Sequence, residues 1–152
     1  MKIIFFLFLM IIFDLKSKTV FAQSSAPITQ IAFITATNTN GKFFIVKADF
    51  VQMLTGQNAV KAAKRAGEAE YDISKNGDTA WYVPNDYFVV NSNSAIRQLR
   101  ISLTAQIYLI KEGGSAIFKS SLSKLKNNFT GKLFRLFLRN NEIIKLEEIF
   151  TP

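Results

Sequence analysis

The densest gathering of side chains able to do chemistry begins at Pro84-Asn85-Asp86-Tyr87 and continues through Asn91, Asn93, Arg97 and Arg100. Carboxylate and amide oxygens beside a turn suit a hard cation such as calcium, but that ion takes about six to eight oxygen ligands. Only one carboxylate, Asp86, lies in the stretch, and its spacing is not that of an EF-hand loop. Asn and Asp at turns commonly hydrogen-bond their own backbone. The expected role is therefore to build a turn, with Asp86 paired to Arg97 or Arg100, and no metal or cofactor is assigned. Catalysis by two carboxylates needs acids roughly 5–9 Å apart in a cleft. Asp49, Asp72, Asp78 and Asp86 are candidates, none singled out by its context, and Glu147-Glu148 on one strand must point to opposite faces. The chain has no His and no Cys, which removes imidazole bases, thiolate nucleophiles and the usual zinc ligands. No catalytic residue is assigned.

A second set of candidates lies near the C-terminus. Arg135, Phe137 and Arg139 alternate outward along one expected strand, with Lys145 on the next. Such a basic-aromatic mixture stacks and pairs with anionic or sugar ligands, although outward Arg and Lys also serve to keep strands from aggregating.

These residues need a scaffold. The 152 residues carry 19 Lys and Arg against 11 Asp and Glu and include 15 Phe, with 49% apolar content, enough for one packed domain and too apolar for a disordered chain. Residues 1–22 read as a secretory signal: Lys2 is the positive start, Ile3 to Phe13 the apolar run, and Val20-Phe21-Ala22 the cleavage region. Eleven apolar residues are too few to span a bilayer, for which about 20 are needed, so an anchor is the weaker reading. Cleavage after Ala22 leaves 130 residues with 16 basic and 10 acidic side chains. Secretion, or residence in a periplasm or cell envelope, makes nucleic acid an improbable partner. The surplus charge then points to an envelope polymer, glycan or protein, with membrane contact only through an uncleaved leader.

After a linker at 23–27, the domain spans 28–152. Ile28 to Thr37 alternates like a strand, Asn38-Thr39-Asn40-Gly41 supplies a tight connection, and Phe43 to Met53 places Phe44, Val46, Ala48 and Phe50 on one face. Thr55 is placed to cap a helix over Gln57 to Ala66, with Gly67 as its left-handed end. The helix's apolar stripe is Ala59, Val60, Ala63 and Ala66, which lets it lie close on a sheet edge with Lys61, Lys64 and Arg65 in water. Glu68 to Trp81 is polar and the least readable stretch. Tyr87 to Val90 reads as a short strand and Arg97 to Ile110 as a long or bent one, with Ala105, Ile107 and Leu109 on one side. Phe118, Leu122, Leu125 and Phe129 fall on one side of a helix that Gly131 would stop. Lys132 to Arg139 and Glu142 to Phe150 are the last strands, with Phe134, Leu136 and Leu138 opposite Ile144, Leu146 and Phe150.

A helix between the third and fourth of five principal strands is the element order of an OB-like barrel. The expected fold class is thus mainly β with two short helices, a small OB-like β-barrel; the alternative is an open α+β sheet with the helices on one face. In the barrel, the binding face would be the middle strands, flanked by connections near Asn38 to Lys42 and Arg139 to Asn141.

Five motifs also occur in order: Thr55-Gly56-Gln57-Asn58-Ala59-Val60-Lys61-Ala62-Ala63, Pro84-Asn85-Asp86-Tyr87, Asn91-Ser92-Asn93, Arg97 to Ile101, and Leu146-Glu147-Glu148-Ile149-Phe150-Thr151-Pro152. In this series the chain resembles an uncharacterised group of secreted bacterial proteins, some of them lipoproteins. The resemblance implies export and a shared scaffold, and it makes Asp86, Tyr87, Asn91, Asn93 and Arg97 the first positions to test. The function expected is that of an exported non-catalytic binding or structural domain. A small secreted hydrolase using Asp86 and another acid is the alternative.

Overall fold

The computed structural model describes residues 26–151. The export signal read at 1–22 lies outside the described residues, as does most of the linker. In chain order the elements are β1 (Ile28–Asn40), β2 (Phe43–Thr55), α1 (Gly56–Ala66), β3 (Glu70–Ile73), β4 (Thr79–Tyr82), β5 (Tyr87–Val90), β6 (Ile96–Ile110), β7 (Ile117–Ser120), α2 (Leu122–Lys126), β8 (Leu133–Arg139) and β9 (Glu142–Ile149). A single 3₁₀ turn, Pro84–Asp86, precedes β5.

The main sheet runs β5-β2-β1-β8-β9-β6-β7, and a further pairing of β2 with β6 closes five of its strands into a ring. Around that ring β1, β2, β6, β9 and β8 follow one another. The β6–β9 pair is parallel and the other four are antiparallel. Taken in chain order the five barrel strands are connected 1-2-3-5-4-1, the closed five-stranded barrel expected from the sequence. Closure satisfies the edges that an open sheet would leave for aggregation.

Alternation decides what fills the barrel. Val46 and Ala48 of β2, Leu99 and Ile101 of β6, Phe134 and Leu136 of β8, and Ile143 and Leu146 of β9 all point inward and are buried. Leu125 of α2 is fully buried in the same core, with Leu122 and Phe129 packed beside it. The helix therefore plugs the barrel through one turn. Ser121 caps it by accepting a hydrogen bond from the Lys124 amide at 3.4 Å.

Several expectations are corrected. Phe118 lies on β7, 37% exposed, because the helix starts only at Leu122 and ends at Lys126, well before Gly131. In β9 a bulge lies between the Phe137–Lys145 and Leu138–Ile143 pairs, so Ile144 is the extra residue. A bulge shifts the alternation by one position; Ile143 consequently turns inward in place of Ile144, and Phe150 is 48% exposed beyond the strand. Strand β1 continues through Asn40, leaving Gly41-Lys42 as the turn, with Gly41 at φ 55°. Thr55 is the residue before α1, but its side chain makes no capping hydrogen bond. Finally, the polar stretch after α1 contains a separate two-stranded hairpin, β3–β4, that the sequence reading left unassigned.

Outside the barrel, α1 lays Ala59 and Ala63 against Val83, Leu54, Ala69 and Phe88. Small side chains let the helix approach β5 and the end of β2 closely. Gly67 closes α1 at φ 76°, its amide bonding to Ala63 and Lys64 carbonyls, as its sequence position predicts.

Candidate functional site

The antiparallel pairing of β2 with β6 sets the site. Inward pairs such as Phe44–Ile101 and Val46–Leu99 belong to the core, so the residues between them must face out: Ile45 opposite Arg100, Lys47 opposite Gln98, and Asp49 opposite Ile96. A bulge at Thr35 re-phases β1, placing Asn38 beside Ile45 and Ala36 beside Lys47 on that outer face. Without it the two positions would swap faces with their neighbours.

Two shallow depressions cross this surface and meet at Gln98. One is lined by Ala36, Thr37, Asn38, Ile45, Lys47 and Gln98. The other runs from Gln98 and Arg100 to Asn140, Asn141 and Glu142. The β8–β9 hairpin reaches this place through a two-residue turn in which Asn140 and Asn141 both take positive φ, 50° and 62°. That is the backbone twist a tight hairpin demands, and asparagine tolerates it. The β1–β2 hairpin bounds the other side. The groove thus lies on the middle strands between the two connections expected from the barrel order.

Its electrostatics follow from which cations have partners. Among the described residues the ion pairs are Lys132–Glu148 at 2.8 Å, Arg135–Glu147 at 3.6 Å and Lys145–Glu147 at 2.6 Å. Lys47 and Arg100 belong to none of them. The Arg100 guanidinium lies 4.5 Å from the centre of the Phe43 ring, which holds it over the groove without neutralising it. At the far end, Asn91 donates from Nδ2 to Asp49 Oδ2 at 2.7 Å. The other carboxylate oxygen of Asp49 is buried without a hydrogen-bond partner.

The first candidate set is split by the structure. Asp86 is exposed in the 3₁₀ turn with φ 59°, following Asn85 at 61°. The expected Asp86 pairing with Arg97 or Arg100 is not formed. Arg97 instead donates to the Ala95 carbonyl at 2.7 Å and stacks 4.5 Å from the Phe50 ring. Tyr87 opens β5 opposite Thr55. Asn93 accepts from the Ala95 amide at 3.1 Å, a self-contained turn. Asn91 and Arg97 thus fasten the β5–β6 connection to the barrel, while Asp86 and Tyr87 stand at the other end of β5.

Arg135, Phe137 and Lys145 share the outer surface of β8 and β9, but their charges are already engaged. Lys145 Nζ lies 4.9 Å from the Phe137 ring centre and 5.3 Å from that of Tyr108, and Glu147 joins it to Arg135. Arg139 ends β8 beside the Asn140-Asn141 turn, its Nε buried and without a hydrogen-bond partner. This face forms a ladder of internal contacts. The groove residues that sequence reasoning missed are Lys47 and Gln98; their outward phase was readable, but their adjacency needs the β2–β6 pairing. No family model, curated protein or solved structure matches the chain.

Proposed function

We propose that the protein is an exported, non-catalytic binding domain that takes an anionic envelope polymer along the outer face of β2 and β6. One observation carries this reading: Lys47 and Arg100 stand on adjacent strands, both facing out, and belong to none of the ion pairs of the described residues, with Glu142 of β9 the carboxylate next to Arg100. An exposed cation without a counter-charge attracts anions at a range set by ionic strength. Gln98, Asn38 and the Asn140-Asn141 turn add amide groups along the same line. The elongated, open shape suits a chain-like ligand better than an enclosed small molecule. The sequence supports export through residues 1–22, and the resemblance to secreted proteins agrees with it. The hydrolase alternative has less to stand on: it needs a second acid beside Asp86, which lies exposed at the far end of β2 from the groove.

Calorimetric titration with poly(glycerol phosphate), alongside a neutral glucan as control, tests the reading. Binding to the charged chain alone is expected, weakening steeply as salt is raised. The double replacement Lys47→Ala, Arg100→Ala removes two charge-assisted contacts worth about 1.5 kcal/mol each, and affinity should fall about a hundredfold. Arg135→Ala should leave it unchanged. Heat from neither polymer, or equal loss from Arg135→Ala, would overturn the assignment.

A further inference from the structure

The β3–β4 hairpin is unlike the rest of the molecule. All eight of its strand residues are exposed, and a lone two-stranded hairpin is marginal in water without something to pack against. Its tether to the body is Lys64, whose Nζ lies 4.2 Å from the centre of the Trp81 ring. The register divides the hairpin into two faces, Tyr71 and Ile73 with Trp81 and Thr79 on one, Glu70 and Asp72 with Tyr82 and Ala80 on the other. On the second face Tyr82 stands directly opposite Glu70.

Charge is distributed unevenly between this arm and the body. Residues 68–78 hold Glu68, Glu70, Asp72 and Asp78 against Lys75 alone. The remaining described residues carry 15 Lys and Arg against 6 acids. The groove offers Lys47 and Arg100, neither in an ion pair, with exposed Phe43 at the Arg100 end and exposed Ile96 opposite Asp49 at the other; Glu142 and Asp49 are its acids. Within one copy, among the described residues, no ion pair or ring contact joins the arm to Lys47 or Arg100: the ring contact of Arg100 is with Phe43, and that of the arm is with Lys64.

We infer that the acidic β3–β4 hairpin of one copy docks in the basic β2–β6 groove of a second copy. The inference rests on reading that groove as the binding face. Glu70 and Asp72 meet Arg100 and Lys47, while Tyr82, opposite Glu70 in the hairpin, covers Phe43 beside Arg100. Because the two surfaces differ, the contact is head-to-tail, and repeating it builds an open chain of copies unless a ring closes. An anionic polymer competes for the same cations.

Sedimentation velocity over a wide concentration range, at low and at high salt, gives the first test. Mass should rise with concentration at low salt and return to that of one chain at high salt. The pair Glu70→Lys, Asp72→Lys and the pair Lys47→Glu, Arg100→Glu should each stay monomeric. Mixing the two variants should restore association, because one reversed arm then faces one reversed groove. All the changed positions are on the surface, and unchanged circular dichroism and melting exclude misfolding. A monomer at every concentration in low salt overturns the inference, as does association that charge reversal leaves intact. If poly(glycerol phosphate) still binds a protein that stays monomeric, the second-copy inference fails while the polymer reading stands. If copies associate and the polymer does not bind, the reverse holds.

Discussion

The barrel and the α1 appendage bury their side chains in different ways. The barrel core is built from large residues, with Phe134, Ile101, Leu109, Leu125, Leu136, Ile143 and Leu146 nearly or fully excluded from water. The cluster under α1 has Ala59, Ala63 and Val83 at its centre, and the hairpin beyond it buries no residue. Apolar burial contributes about 25 cal/mol per Å², so the barrel holds most of the folding free energy. The appendage is held by close approach and by local bonds, and regions with little burial open at lower free energy than the global transition. The lesson is that burial is concentrated in the closed ring, whereas the arm keeps its side chains exposed.

The sharpest way to break that contrast is truncation on each side. Phe134→Ala should lower global stability by about 3–5 kcal/mol, read from chemical denaturation. Trp81→Ala, on the exposed hairpin, should change it by less than about 0.5 kcal/mol. Equal losses would mean the arm shares the barrel's core. A smaller effect concerns a polar staple in the barrel. Glu148 is only 7% exposed; its carboxylate accepts from the Ile110 amide at 3.0 Å and pairs with Lys132 at 2.8 Å. Glu148→Ala leaves a buried backbone donor unsatisfied and should cost about 1–3 kcal/mol, with Glu148→Gln recovering part of that. A null result would show that apolar packing alone fixes the ends of β6 and β9. The smallest effect belongs to the arm. The hydrogen bond with Glu70, reinforced by the charges of Glu70 and Asp72, raises the Tyr82 pKa above the ordinary 10.0. Protonation favours that contact, so it persists through neutral pH and is lost as pH climbs past the raised value. In an ultraviolet titration Tyr82 should ionise later than it does in the Glu70→Gln variant; coincident curves would place the hydroxyl away from Glu70.

Local chemistry made much of this legible before folding was considered. Gly67 ends α1 because a left-handed residue is needed there, and Asn140-Asn141 turns a hairpin because both residues tolerate positive φ. Val46, Ala48, Phe134 and Leu136 were readable as core from period-two alternation. The misreadings have equally local causes. Alternation alone turns Ile144 inward because a bulge leaves no mark in composition, and the spacing of Phe118 from Leu122 fits a helix as well as the end of a strand. The β3–β4 hairpin escaped notice since neither face is buried, which removes the usual hydrophobic signature.

The sequence by itself determined most of the turns, the period-two alternation within each strand, and the strand-strand-strand-helix-strand-strand order that permits a five-stranded barrel. Those properties depend on backbone sterics and on side chains a few positions apart. Only the tertiary structure decided that β2 pairs with β6 and that Lys47 lies beside Gln98, whereas Arg135 and Lys145 share Glu147 on another face. Pairing of strands some fifty residues apart depends on the whole core closing at once, and the bulges that set each strand's phase take their positions from that closure.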